Sequence, residues 1–275
     1  MIGPLASPDG WLGFLRFFDG DKAFSVPRGG TAEERFEMLR EACRKPDRLV
    51  LGASREGEKT GLFYFLLLED ERYLEMLSCL TRDELSCREL GAYLRERFPG
   101  YQADFVYSPE ITPLTALLRQ NGASFDTEQQ KMVFAGQIPA IDLSGVEPLS
   151  EKYLSQYCAM HNTDVYWTGE KVAANPESFR VFIAREGETV VGYLDVTVGH
   201  DENEPVDVLV KEPYRCRGWG RKLLVAALAA NRPHGMRLHV DVDNAPAIGL
   251  YTSVGFVKAE GENSLTVTWK IPPAD

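Results

Sequence analysis

The sequence predicts an α/β protein of two domains, each with helices packed on a sheet. Its 275 residues exceed the roughly 100 to 200 residues usual for one domain. Apolar strand-like runs alternate with amphipathic helical segments in both halves. Hydrophobic residues at 44% and charged residues at 26% match soluble globular proteins, so each half should fold around its own core.

The predicted elements follow a similar order in the two halves, which suggests an old duplication. In the first half, helices are expected at 31–45, 82–98 and 108–121, and strands at 48–54, 61–69, 72–80 and 130–136. In the second half, helices are expected at 150–162, 219–231 and 245–254, and strands at 178–186, 188–199, 204–212, 236–243 and 265–270. The Pro, Gly and Ser-rich segment 136–150 is the predicted linker, which divides the chain into domains 1–137 and 138–275.

Charge and cysteine content exclude several classes of protein. A formal net charge of −11 opposes a polyphosphate surface, so nucleic acid is not an expected partner. No basic leader or long apolar run is present, which predicts a cytoplasmic protein without a membrane partner. The five cysteines lack CxxC spacing, and Cys158 and His161 have no second pair, so no metal site is predicted and His161 is expected at the surface.

The most informative stretch is the segment 206–231, in which an apolar strand runs through a short glycine loop into a helix. Gly218 and Gly220 let the backbone approach a ligand closely, while the unpaired amides of the first helical turn point outward. The loop carries five basic residues against the single acid Glu212: Lys211, Arg215, Arg217, Arg221 and Lys222. A local excess of positive charge at a helix start predicts a phosphate ligand.

Two motifs in this half resemble those of the GNAT superfamily of N-acyltransferases. Arg215, Gly218 and Gly220 form RxxGxG, similar to the family's coenzyme A signature. Downstream, Asn244, Ala247, Leu250 and Tyr251, followed by Gly255-Phe256, look like its N-x-x-A-x-x-L-Y…G-F element. The resemblance covers about residues 138–275 and implies a mixed, mostly antiparallel sheet that splays at its middle, with acetyl-CoA as the acyl donor in the gap.

The resemblance also implies which residues hold the coenzyme. Its pantetheine arm would pair along the strand at Val208, Leu209 and Val210, and a free amide near Val208 would polarise the thioester carbonyl. The pyrophosphate would meet the loop, and Asn244 would orient the coenzyme or cap its helix. The residues expected to bind the coenzyme are Val208, Leu209, Val210, Arg215, Arg217, Gly218, Trp219, Gly220, Arg221, Lys222 and Asn244.

Acyl transfer to an amine further needs a base for the amine and an acid for the thiolate. The resemblance implies Tyr251 as the acid, because its motif position places the phenol beside the sulfur in family members, and a phenol with a pKa of about 10 stays protonated at neutral pH. Glu204 is the first choice of base, with Asp207 and an ordered water as alternatives. The acidic run 200–207 predicts a cationic acceptor.

The first half has only part of these motifs. Arg88 and Gly91 keep some of the spacing, but Glu89 lies inside the would-be loop. We therefore expect a degenerate GNAT-like domain without coenzyme, followed by a catalytic domain. The predicted function is transfer of an acetyl group from acetyl-CoA to a primary amine of a small molecule or peptide, with Tyr166 and Trp167 as acceptor contacts. The alternative is a non-catalytic sensor or scaffold module that binds acyl-CoA.

Overall fold

The structure is a computed structural model that describes residues 1–25, 30–163 and 167–274. The elements of the first 130 residues are β1 (Ile2–Pro4), α1 (Leu12–Arg16), α2 (Ala32–Ala42), β2 (Arg48–Arg55), β3 (Glu58–Leu68), β4 (Tyr73–Leu80), α3 (Glu84–Arg97), β5 (Gln102–Tyr107), α4 (Thr112–Gln120), β6 (Ser124–Phe125) and the start of β7 (Gln129–Phe134). Those that follow are β8 (Val146–Pro148), α5 (Leu154–Cys158), α6 (Gly169–Ala173), β9 (Phe179–Glu186), β10 (Thr189–Thr197), β11 (Glu202–Asn203), β12 (Pro205–Val210), α7 (Trp219–Asn231), β13 (Gly235–Asp241), α8 (Ala245–Val254), β14 (Phe256–Lys258) and β15 (Leu265–Lys270).

Two compact units make up the chain. The first comprises Met1–Gln130 with Glu260–Asp275, and the second comprises Lys131–Ala259. This division differs from the expected one at residue 137, because the last strand of the chain belongs to the first unit. Within the described ranges, no helix is both long and apolar enough to cross a bilayer.

The first unit is built on one sheet in the order β1-β2-β3-β4-β5-β15-β6. Its pairings are antiparallel except for β4 with β5. β15, expected to complete the second half, lies between β5 and β6, with Val267 opposite Phe105. Val267 and Trp269 alternate onto one face and are buried in the core of the first unit. Alternation identifies a strand but not its neighbours, so the sequence did not reveal this placement.

The second unit contains two four-stranded sheets, in the orders β12-β10-β9-β8 and β11-β13-β7-β14. β7, expected to close the first half, pairs instead with β14. The chain passes from one sheet to the other at Glu204, since β11 pairs with β13 and β12 pairs with β10. β12 and β13 lie close together but belong to separate sheets, and this opening between them is hereafter the splay. The predicted fold class, mixed sheets flanked by helices, is confirmed.

Candidate active site

The glycine loop leaves β12 through a short 3-10 helix, Glu212–Tyr214, and enters α7 at Trp219. Gly218 is the N-cap of α7 and has φ = 84°, a conformation that strains every residue with a β-carbon. No side chain caps this helix end, so its first-turn amides remain available to a ligand. This geometry agrees with the anion site expected from the sequence.

Gly220 lies close to a side chain of the second motif. A β-carbon at Gly220 would lie 3.0 Å from Leu250 Cδ2, tighter than ordinary packing allows. The glycine therefore permits α7 to pack closely on α8. Gly220 and Leu250 come from the two separate motifs, so this contact brings the two motifs together in the structure.

The basic side chains of the loop divide into exposed and engaged groups. Arg215, Arg217 and Arg221 are exposed, although Arg215 Nε also donates to the Val210 carbonyl at 3.0 Å. Lys222 Nζ is engaged with Asp142 Oδ2 at 3.2 Å and the Ser144 carbonyl at 3.0 Å. The Trp219 side chain packs with the apolar core beneath α7. The exposed arginines are thus better placed for an anion than Lys222.

β12 presents alternate residues to two different cores. Val208 and Val210 pack with the core beneath α7, whereas Leu209 packs with the core around Tyr157. Lys211 donates its N–H to Val191 on β10, so alternation turns the backbone of Val208 and Val210 away from β10. Their backbone groups therefore point toward the splay, where an extended ligand arm could pair with them.

The register of β10 and β12 shifts between Asp195 and Val196, which pair with Asp207 and Pro205. Val206 is the extra residue of this β-bulge and is half exposed. The bulge thus lies two residues before Val208 in the chain. It separates Glu204 from Asp207, so the strand alternation does not continue from Val208 back to Glu204.

Glu204 lies at the splay with its carboxylate already engaged. Its Oε1 is 2.8 Å from His239 Nδ1, and its Oε2 is 3.7 Å from Arg237 Nε. Backbone and hydroxyl bonds to Thr197 hold the residue in place. A cleft of about 350 Å³ opens beside it, lined by Thr197, His200, Asp201, Glu202, Glu204 and Arg237.

Tyr251 and Asn244 lie on α8 as the second motif predicts. Asn244 Oδ1 accepts from the Ala247 amide at 3.2 Å, so its side chain caps the helix. Tyr251 is partly buried in the core beneath α7, edge-on to Phe256. Burial, and then the negative charge of Asp207, raise the Tyr251 pKa. A raised pKa keeps the phenol protonated and able to donate.

A buried polar cluster lies on the other face of β10 and β12. Asp195 on β10 accepts hydrogen bonds from Tyr157, at 2.9 and 3.0 Å, and from His161 Nε2, at 2.8 Å. Tyr193 donates to Asp207 Oδ2 at 2.6 Å, and its ring stacks on His161. His161, expected at the surface, is buried because these rings enclose it. The clue in the sequence was Asp195 itself, a carboxylate inside the apolar run of β10.

Of the two acceptor contacts expected from the sequence, one lies among the described residues. Tyr166 lies outside the described residues. Trp167 is half exposed and packs edge-on against Phe179, with ring centroids 4.8 Å apart. Trp167 therefore has both an anchored ring and an open face.

The corresponding helix start of the first unit is closed by its own carboxylate. Asp83 is the N-cap of α3, and its Oδ2 accepts from the Ser86 amide at 2.6 Å. The same oxygen lies 2.6 Å from Arg55 Nη2, and the Arg55 guanidinium holds the Asp83 pKa well below its usual range. A side-chain anion therefore stands where a phosphate would need to bind.

A splayed sheet beside an uncapped helix start is the architecture of N-acyltransferases of the type that the two motifs suggest. Residues 146–256 match the model of the acetyltransferase (GNAT) family, so the second unit belongs to that family. Across the whole chain, the fold is that of tandem GNAT proteins.

Two solved structures share this fold over the full chain. A GCN5-related N-acetyltransferase from Sphaerobacter thermophilus has a TM-score of 0.65 at 15% identity, covering 100% of this chain and 96% of that one. A tandem GNAT protein from the clavulanic acid biosynthesis pathway has a TM-score of 0.55 at 16% identity, covering 100% and 99%. At these identities the likeness concerns the fold alone.

Two curated proteins have similar sequences over part of the chain. An uncharacterized protein of Mycobacterium leprae is 32% identical over 162 residues, which cover 56% of this chain and 42% of that protein. The mycothiol acetyltransferase of Corynebacterium glutamicum is 37% identical over 79 residues, which cover 27% of each chain. The chain thus spans less than half the length of either relative.

Proposed function

We propose that the second unit transfers an acetyl group from acetyl-CoA to the primary amine of a small molecule or peptide. One observation carries the proposal: the strand lining the splay, β12, leads into a helix start that Gly218 leaves uncapped. A pantetheine arm and a pyrophosphate need these two features in this order. The GNAT family match and the name of the relative from Corynebacterium support acetyl as the acyl group.

The coenzyme would be held by backbone and charge together. Val208 and Val210 offer backbone groups to the pantetheine amides, and the amides after Gly218 meet the pyrophosphate. Arg215, Arg217 and Arg221 add charge-assisted bonds. Such fixation makes attack by the amine effectively intramolecular, which contributes much of the rate in transfer reactions.

Tyr251 is the proposed acid for the departing thiolate. Its phenol is partly buried, and its raised pKa keeps the proton in place until the carbon–sulfur bond breaks. Two carboxylates flank the bulge of β12 and are candidates for the amine proton, Glu204 before it and Asp207 after it. Glu204 is a candidate because it sits at the splay itself, and its contact with His239 offers a route for the proton.

Release of free thiol from acetyl-CoA in the presence of amines tests this function. Purified protein is offered a panel of small amines, amino acids, aminoglycosides and peptides, and we expect thiol release that depends on the amine. Arg215→Glu, which opposes the coenzyme's charge, is the matched inactive control. Tight coenzyme binding without thiol release for any amine would instead indicate a sensor or scaffold module.

A further inference from the structure

His161 has a buried nitrogen that the packing leaves without a partner. Its side chain is 3% exposed, and Nδ1 makes no hydrogen bond within the described part of the chain. An unsatisfied buried nitrogen costs free energy and points to a role beyond packing. Asp207 Oδ2 lies 4.0 Å from Nδ1.

Asp207 connects this nitrogen to the solvent. Its side chain is 43% exposed, whereas Asp195, directly opposite it on β10, is 0% exposed. Like charges opposite each other on neighbouring strands repel. The His161 ring lies between the two carboxylates, with Nε2 2.8 Å from Asp195 Oδ2 and Nδ1 4.0 Å from Asp207 Oδ2.

The tautomer of His161 follows from its partners. Asp195 also accepts the Tyr157 hydroxyl, and burial raises the Asp195 pKa to about 6, so its carboxylate is ionised at neutral pH. An ionised carboxylate only accepts, and Nε2 therefore carries the proton. Nδ1 is left with a lone pair directed to the side of Asp207, ready to receive a proton.

We propose that Asp207 is the catalytic base of the acyl transfer, and that His161 and Asp195 are positioning residues that store the proton it removes. The inference rests on the proposed function and deepens it. Asp207 is within electrostatic reach of the candidate acid Tyr251, the other group that handles a proton in this reaction. Asp207 Oδ2 and His161 Nδ1 lie 4.0 Å apart, and catalytic hydrogen bonds often tighten only when substrate is bound.

The proton balance follows from the reaction. An ammonium acceptor gives its first proton to Asp207, which passes it to His161 Nδ1 and becomes a carboxylate again. The neutral amine attacks the thioester carbonyl, the carbon–sulfur bond breaks, and Tyr251 protonates the thiolate. The nitrogen's second proton goes to Asp207 and replaces the proton lost by Tyr251. One proton remains on His161 and leaves to solvent, as the overall reaction requires.

A metal ion is the competing occupant of this cluster. His161, Asp195 and Asp207 each have an atom within 4.8 Å of the others. However, His161 Nε2 is already bonded to Asp195, and both Asp195 oxygens accept from Tyr157. A cation bound through Asp195 would therefore have to displace existing hydrogen bonds.

The central variants are Asp207→Asn, His161→Gln and Asp195→Asn, which keep polar side chains of similar size. Asp207→Asn should lower kcat by about 10²- to 10⁴-fold without weakening CoA binding, and the loss should shrink at high pH, where the amine is already neutral. His161→Gln and Asp195→Asn should lower kcat at least about tenfold with little change in the KM of the amine.

The pH profile separates a proton store from a merely structural role. In the wild type we expect kcat to fall as pH drops through about 6, where Asp195 takes up a proton. This fall of kcat should be absent from His161→Gln and Asp195→Asn. A merely structural defect would instead lower the melting temperature of these variants and leave the fall of kcat with pH unchanged. Among the residues that the structure describes, the titratable groups facing His161 and Asp195 are Tyr157 and Cys158 of α5, Glu170 of α6, Tyr193 of β10, Asp207 of β12 and, beyond Asp207, Tyr251 of α8.

Glu188→Gln is the control, because Glu188 is an exposed carboxylate of the same unit bound to Lys152, and its variant should keep the wild-type profile. Full activity in Asp207→Asn overturns the assignment. The assignment is also overturned if Glu204→Gln, and not Asp207→Asn, shows a loss of kcat that is recovered at high pH. Inactivation by a chelator that Zn²⁺ reverses also overturns it, in favour of a metal. A wild type that releases no thiol with any amine refutes the proposed function itself, which distinguishes the two failures.

Discussion

Asp195 and Asp207 are direct cross-strand partners, one fully buried and the other 43% exposed. Both side chains lie on the face of the sheet that packs against α5, where Tyr157, Tyr193 and His161 engage them. The bulge at Val206 comes just before Asp207 in the chain, so it changes the side of the strand on which Glu204 would otherwise lie. The two candidate bases, Glu204 and Asp207, therefore lie in different environments.

The coenzyme loop is tested by charge reversal. Arg215→Glu and Gly218→Glu should each weaken CoA binding by at least about tenfold, since each places a carboxylate where the pyrophosphate should lie. Calorimetry with CoA measures the change, and circular dichroism checks the fold. Gly218→Ala separates strain from charge, because alanine meets the same φ of 84° without adding a carboxylate. Unchanged affinity in both charged variants would refute the loop assignment.

The role of Tyr251 is tested by removing its hydroxyl. Tyr251→Phe should lower kcat by about 10²- to 10⁴-fold and leave CoA affinity nearly unchanged, because a general acid acts only as the bond breaks. Steady-state kinetics and calorimetry together measure both quantities. Phe256→Leu, which alters the ring packed against Tyr251, is the packing control. A loss confined to CoA affinity would make Tyr251 a packing residue.

Coenzyme stoichiometry tests the role of the first unit. We expect one CoA per chain, because Asp83 caps α3 with a carboxylate that also binds Arg55. Calorimetry measures the stoichiometry, and Arg215→Glu should reduce it to zero. If that variant still binds one CoA per chain, the first unit is a coenzyme site and the predicted domain roles are reversed.

The stability of the buried cluster should depend on pH. Because the pKa of Asp195 is about 6 when folded and near 4 when unfolded, the folded state binds its proton more tightly. The favourable contribution is present below pH 4 and is lost as pH rises through 6. Relative to wild type, Asp195→Asn should therefore gain roughly 2 to 3 kcal/mol in free energy of unfolding between pH 4 and pH 7.

Urea unfolding of both proteins at the two pH values measures this difference. Asp142→Asn is a control of opposite sign, because Ser144 and Lys222 hold the Asp142 pKa at about 2. The titration window of Asp142 lies between about pH 2 and pH 4, so that variant should lose stability relative to wild type as pH rises mainly below pH 4 and change little between pH 4 and pH 7. If the free energies of unfolding of Asp195→Asn and wild type differ by the same amount at pH 4 and pH 7, the prediction is wrong.

The acidic segment 200–207 predicts a cationic acceptor, steered by charge. Glu202 and Glu204 line the cleft, with Arg237 only 3.9 and 3.7 Å away to offset part of their charge. Glu202→Gln should raise the KM of the amine by roughly twofold to tenfold, and added salt should remove the difference. Glu69→Gln, at an exposed position of the first unit, is the control. If neither Glu202→Gln nor added salt changes the KM of the amine, the acidic segment 200–207 has no role in binding the acceptor.

The sequence by itself determined the α/β class, the glycine loop and the capped helix of the second motif. Each depends on local chemistry: Gly218 reaches a left-handed φ, and Asn244 caps α8 with its own side chain. Only the tertiary structure decided that β15 joins the first unit, that Gly220 packs on Leu250, and that His161 lies between Asp195 and Asp207. These relationships join residues far apart in the chain, and alternation or motif spacing carries no information about which distant partner a strand or side chain meets.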